Sequence, residues 1–267
     1  GKDTSKMTSN DVDQTAGRHP DEQVSKLIEA LAASAQQLAA LVEPLPPDQL
    51  RRSAYPSEWT IADVLSHLGT GAVMTLRRLD GEEFEMQPIW DEWNAKTPDR
   101  QAADALEADR ALLARLGSLT PEDRARRFVF GPVDFDLPSA LRLRLNEHVQ
   151  HTWDVAVTLD PTATISPDAA ELLIDSVGMM AGFAGRPTGV ERTITIATHA
   201  PTRHLELVLR PDAVALSPSH ASGTPDLELP AESLIRLVGG RLDPDHTPSI
   251  NDPDSTLEEL RRVFTGY

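Results

Sequence analysis

The sequence contains no cysteine. That excludes disulfides, thiolate metal ligands and a cysteine nucleophile within the chain, so any thiol chemistry must use a thiol brought in from outside. Positive charge is scarce: 25 Lys and Arg stand against 42 Asp and Glu, a formal net charge of −17. Nucleic-acid binding draws most of its affinity from clustered Lys and Arg, so this balance argues against a nucleic-acid partner, and it disfavours an anionic membrane surface. No stretch approaches the roughly 18–20 consecutive apolar residues that span a bilayer. Residues 1–20 are polar and lack the apolar segment of a secretory signal; they are expected to form a disordered tail. These absences point to a chain working in the cytoplasm.

What is present is a globular balance, 40% hydrophobic and 25% charged over 267 residues, enough for one large domain or two ordinary ones. The first half reads as helical. Val24, Leu27, Ile28, Leu31, Leu38 and Leu41 recur at three- and four-residue spacing, predicting an amphipathic helix over 21–42 that stops at Pro44-Leu45-Pro46-Pro47. Thr60 with Asp63 resembles a capping box, followed by Ile61, Val64, Leu65, Leu68, Ala72, Leu76 and Leu79 at helical period. A third helix fits 102–116 and a fourth 138–159. Four long helices make a bundle, placed at 21–160.

After Asp160-Pro161 the texture changes. Ser166-Pro167-Asp168 opens a helix predicted to run through Met180, ending at the Gly-rich segment 181–185. Thr193 to Ile196 and Leu205 to Leu209 alternate as half-buried strands do, and Asp226 to Leu229 is a shorter one. Helices follow at 231–238 and 255–264. The expectation is an α+β multidomain chain: a four-helix bundle, then a smaller α/β domain over 161–267.

The segment Arg144-Leu-Asn-Glu147-His148-Val-Gln-His151-Thr-Trp-Asp154 carries the most chemistry. With about 100° per residue, Glu147 and His151 lie about 40° apart on adjacent turns, and Arg144 and Asp154 share their stripe. Leu141, Leu145, Val149, Ala156 and Leu159 occupy the opposite side and are expected to face the core. A carboxylate and an imidazole at this spacing can share a divalent ion, and His67, on the flank of the second helix's apolar stripe, is the best third ligand. Three protein ligands would leave a fourth position open, as in catalytic zinc sites. Each piece also has a plainer reading: a surface Glu–His hydrogen bond, a satisfied core histidine, or His148 taking a ligand's place.

The segments Ser57-Glu-Trp59-Thr-Ile-Ala-Asp63-Val-Leu-Ser-His67-Leu68 and Arg144-x-x-Glu147-x-x-x-His151-x-x-Asp154 resemble the hallmark motifs of the mycothiol-dependent maleylpyruvate isomerase family, which has a DinB-like bundle. Pro225 to Arg241, closing on Gly239-Gly240-Arg241, resembles that family's C-terminal domain, itself similar to sterol-carrier folds. The resemblance spans roughly 21–265. It implies a zinc, or another divalent metal, held by His67, Glu147 and His151, and mycothiol as an external thiol cofactor. High Ala, Arg, Asp and Pro content also has the look of an actinobacterial coding sequence.

The mechanism that the resemblance implies starts from a metal-coordinated thiol, which loses its proton near neutral pH. The thiolate adds to the cis double bond of a small carboxylate substrate of the maleylpyruvate kind; rotation and elimination return the trans isomer. Cationic side chains must hold the carboxylates. Arg144 is the nearest, binding substrate or pairing with Glu147; Arg78, three turns beyond His67, and Arg241 are further candidates. Asp154 is expected to orient His151. Two other functions stay open: a metal-dependent hydrolase on the same bundle, and a non-catalytic protein binding an apolar ligand or lipid near Gly178, Met179, Met180, Gly182 and Phe183. The sequence does not decide between a monomer and a homodimer.

Overall fold

The computed structural model describes residues 9–55 and 58–266, with side chains from Pro20 onward. Of the expected tail, residues 1–8 lie outside the described residues, and so does Ser57 of the first motif. Helix α1 (Ser9–Val42) begins before the Asp21 predicted and carries Pro20 inside it. The short α2 (Pro47–Leu50) follows the Pro-rich stop.

Helix α3 (Ile61–Leu79) starts where the capping box placed it. The Thr60 hydroxyl accepts from the Asp63 amide at 3.0 Å, and the Asp63 carboxylate accepts from the Thr60 amide at 2.9 Å. Helix α4 (Met86–Asn94) was not anticipated; its Trp93 inserts against Gly69 of α3, where an added Cβ would stand 2.3 Å from the ring. Helix α5 (Pro98–Leu116) begins at Thr97-Pro98 rather than at Ala102, since proline at the first helical position is pre-set for a helix. A short α6 (Pro121–Ala125) and a hairpin of β1 (Phe128–Phe130) and β2 (Val133–Phe135) lead into α7 (Leu137–Leu159), capped by Asp136.

The bundle pairs α3 with α5 and α1 with α7. Leu27 and Leu38 of α1, Ile61 and Leu65 of α3, and Leu141 and Leu145 of α7 are buried at its centre. Leu159 does not join them: at the end of α7 it is 42% exposed. The rest of α7 is buried on most of its faces, polar ones included, because the second half of the chain covers what a bundle alone would leave to solvent.

That second half opens with α8 (Pro167–Leu173), a single 3-10 turn, and α9 (Val177–Ala184), so the one long helix expected to Met180 is broken. Four strands follow: β3 (Arg192–His199), β4 (Arg203–Leu209), β5 (Val214–Pro218), which was not anticipated, and β6 (Leu227–Pro230). They form one sheet in the order β5-β4-β3-β6, antiparallel except for β3 with β6. Leu205, Leu207 and Leu209 alternate inward along β4, as the period-two pattern required. Helix α9 packs on β5, α10 (Ala231–Val238) on β3 and β6, and α11 (Thr256–Val263) closes the chain.

Leu145 and Val149 of α7 belong to the same buried cluster as Ile194, Leu234 and Ile235. One apolar core therefore runs across position 161 and fixes the sheet-bearing half against α7. Phe183, proposed as a pocket wall, is 67% exposed on α9. Among the described residues no helix is long and apolar enough to cross a membrane.

Candidate metal centre

Helices α3 and α7 bring His67, Glu147 and His151 together. One ligand atom from each lies within 4.8 Å of the other two. The Glu147 Oε2 atom is 3.0 Å from His67 Nε2 and 3.3 Å from His151 Nε2. Ligands bonded at about 2.0–2.1 Å in a tetrahedron sit roughly 3.3 Å from one another. The two-nitrogen, one-oxygen donor set and these separations fit a divalent ion. The His67 side chain is 41% exposed and that of His151 only 5%, so the cluster opens to solvent on the His67 side.

Trp59 holds the two imidazoles. Its ring stacks on His151 at 5.8 Å and 7° between planes, and meets His67 edge-on at 5.4 Å. It stands directly before the Thr60 cap, so the device that starts α3 also sets this wall. Sequence reasoning quoted Trp59 in a motif but gave it no role; an aromatic next to a helix cap, one turn and more before a ligand, was the available signal.

Behind His151 stands Asp154, fully buried, whose Oδ2 is 3.0 Å from His151 Nδ1. Arg241 donates to both oxygens of the same carboxylate, at 2.7 and 2.8 Å, and to the Gly239 carbonyl at 2.6 Å. With Nδ1 engaged, Nε2 of His151 is the nitrogen turned to Glu147. Burial pulls the His151 pKa down, but the hydrogen bonds to Asp154 and Glu147 outweigh it and leave it raised. Burial pushes the Glu147 carboxyl up, yet its hydrogen bonds with His151 and His67 hold it well below the usual carboxylate range. Glu147 is thus an anion ready to ligate.

The other sequence candidates stand elsewhere. Arg144, 7% exposed, donates to the Leu68 carbonyl at 3.1 Å and to Asp109 of α5 at 3.3 Å. Its guanidinium fills the space beside Gly71, where an added Cβ would be 2.7 Å from it. Arg78 lies over the rings of Phe130 and Phe84, at 4.4 and 5.1 Å from their centres, by the β1–β2 hairpin. His148 bonds Ser34, Asp109 and Thr152, and burial lowers its pKa. Asp109 was missed, although a carboxylate inside the apolar stripe Ala102, Ala105, Leu106, Leu112 was visible at helical spacing.

A helical bundle presenting a histidine–carboxylate cluster from two helices, joined to a C-terminal domain built on a sheet, defines the class of protein. Residues 31–156, most of the bundle, match the family model described as the Mycothiol maleylpyruvate isomerase N-terminal domain. Two solved structures share the fold: a histidine-to-alanine mutant of the mycothiol-dependent maleylpyruvate isomerase, at TM-score 0.60, and the same enzyme without the mutation, at 0.59. Each is 11% identical, with 82% of this chain and 90% of the other covered. YfiT from Bacillus subtilis, described as a probable metal-dependent hydrolase with an unusual four-helix bundle topology, aligns at TM-score 0.39 and 19% identity over 60% of this chain and 93% of its own. No curated protein matches the chain.

Proposed function

We propose that this protein is a divalent-metal enzyme using a small external thiol of the mycothiol kind to isomerise, or to transfer the thiol to, a small unsaturated carboxylate. The observation that carries the reading is the convergence of His67, Glu147 and His151 from two helices, with their ligand atoms within 4.8 Å. The family model that the bundle matches and the fold shared with maleylpyruvate isomerase support the thiol and substrate class. A chain without cysteine must receive its thiol from outside, which agrees with a cytoplasmic setting where thiols stay reduced.

His67, Glu147 and His151 would hold the ion, preferably zinc for this mixed nitrogen and oxygen set. Bound there, it supplies a Lewis acid that lowers the pKa of a coordinated thiol. The remaining roles belong to the chain. Asp154 fixes the tautomer and orientation of His151, and Arg241 fixes Asp154 from the second half of the chain. Trp59 walls the inner side of the cluster and keeps both rings in place. Arg144 is committed to Asp109 and positions α7 against α5, whereas Arg78, exposed in part beside two aromatic rings, is the cation left for an anionic group reaching along α3.

Metal analysis and calorimetry with mycothiol test this. Purified, metal-loaded protein should hold close to one ion per chain and bind mycothiol, and His67→Ala should lose both. An ion content well below one per chain would end the metal reading. A full ion content with no heat on adding mycothiol would leave a hydrolase using a bound water instead.

A further inference from the structure

On a neighbouring face of α7, about 100° around from Glu147, three buried polar residues from three helices form a chain. The Ser34 hydroxyl of α1 lies 2.6 Å from Nδ1 of His148, and Nε2 of His148 lies 2.8 Å from Asp109 Oδ2 of α5. All three are at most 6% exposed. With Nε2 of His148 donating to Asp109, which Arg144 also bonds, Nδ1 is left to accept from Ser34 at 2.6 Å, with the Thr152 hydroxyl further off at 3.3 Å. A hydroxyl bonded to an imidazole that a carboxylate orients is the arrangement that activates serine nucleophiles, and it is recognised by geometry and not by chain order.

Ser34 also lines a cleft of about 930 Å³ between α1, α7 and α8, with Val149, Trp153, Ala169 and Leu172 on its walls. That volume suits a small molecule. His148 follows Glu147 directly, about 100° around the helix, so the cleft and the metal cluster lie on different sides of α7. We propose that Ser34 is an activated nucleophile serving a second site, which takes an acyl group from a small ester bound in this cleft. The Ser34 Oγ–carbon bond forms, the ester carbon–oxygen bond breaks, and the Ser34 proton passes through His148 Nδ1 to the departing alcohol. Gln37, one turn further along α1 and also lining the cleft, offers a neutral N–H donor to the oxyanion. The lining carries Glu22, Glu29, Asp168, Glu171 and Asp175 against Lys26 and Arg203, the last paired with Asp175, an acidic excess that selects neutral or cationic esters over anionic ones.

Labelling with a neutral fluorophosphonate tests the assignment without reference to the metal. In that reaction the Ser34 Oγ–phosphorus bond replaces phosphorus–fluorine and HF is lost. Folded wild-type protein should gain one adduct, mapped by peptide mass spectrometry to Ser34, at the same rate with or without chelator. Ser34→Ala should take none there, and His148→Gln should label at least about a hundredfold more slowly, the span of a general base. A hydroxyl that merely satisfies a buried imidazole stays unlabelled. Folded wild-type protein without an adduct, or with its adduct on another serine, overturns the proposal whatever the variants do.

Discussion

Arg241 clasps Asp154 through two parallel hydrogen bonds of 2.7 and 2.8 Å although 87 residues separate them, and both side chains are almost fully buried. Through Asp154 the second half of the chain reaches His151, one of the proposed ligands in the first. The His67, Glu147 and His151 cluster is therefore assembled by the bundle and oriented by what packs against it.

Replacing Arg241 by Ala should damage both stability and metal binding. The substitution leaves the buried Asp154 carboxylate with His151 as its one side-chain partner among the described residues, a loss of about 3–5 kcal/mol by analogy with broken buried pairs. Loss of such an outer support typically weakens metal binding about 10–100-fold. Urea unfolding and competition with a chelator of known affinity measure the two separately. A folded variant binding metal as tightly as wild type would remove Arg241 from any positioning role.

His67→Ala should behave in the opposite way. With its side chain 41% exposed and no part in the apolar core, His67 contributes little to folding, so stability should change by less than about 1 kcal/mol. Metal content should nonetheless collapse, because two ligands on one helix make a weak site. A melting temperature matching wild type alongside near-stoichiometric metal would show that the ion sits elsewhere.

The helices and the cluster were legible because each rests on local rules. Thr60 and Asp63 cap α3 by contacts three residues apart, and Glu147 and His151 meet on adjacent turns of α7. What escaped depends on distant partners. Nothing in the sequence around Arg144 shows that its partner would be Asp109 on α5. The helix expected to run unbroken to Met180 is interrupted at Ile174–Ser176, and just beyond the break Gly178 approaches the Leu216 carbonyl, where a Cβ would come within 2.4 Å. Leu216 belongs to β5, the strand that went unanticipated.

Metal uptake should fall as pH drops, and should begin to fall at a higher pH than a His151 of ordinary pKa would give. A ligating imidazole must be neutral, and the Asp154 and Glu147 carboxylates raise the His151 pKa against the lowering by burial. A proton thus competes with the ion to higher pH than at an isolated histidine. Glu147, held low by its two histidines, stays ionised through the same range and adds no slope. Asp154→Asn removes one of the raising carboxylates, so His151 of the metal-free variant should titrate at lower pH than in wild type, while its metal affinity falls with the lost support. NMR titration of the metal-free proteins between pH 5 and 8 decides it, and a His151 midpoint that moves upward in the variant would contradict the assignment.

Gly240→Ala tests whether the turn that delivers Arg241 is essential. Gly240 has φ +72°, a left-handed conformation that costs other residues roughly 1–2 kcal/mol. Here an added Cβ would also stand 2.3 Å from the backbone nitrogen of Gly266, so the end of the chain would have to move. Those two costs together predict a destabilisation of about 2–4 kcal/mol, larger than either alone. The Tyr55 hydroxyl donates to the Gly240 carbonyl at 3.4 Å, and the Tyr55 amide donates to the Asp154 carbonyl at 3.1 Å. A shifted turn therefore disturbs Asp154 from two directions, through Arg241 and through Tyr55. Metal affinity should fall together with stability, whereas Gly131→Ala, which also replaces a positive-φ glycine but meets no atom within 4 Å, should cost only the backbone strain and leave metal binding at the wild-type value. Equal effects of the two substitutions on chelator competition would show that the turn at Gly240 does not govern the cluster.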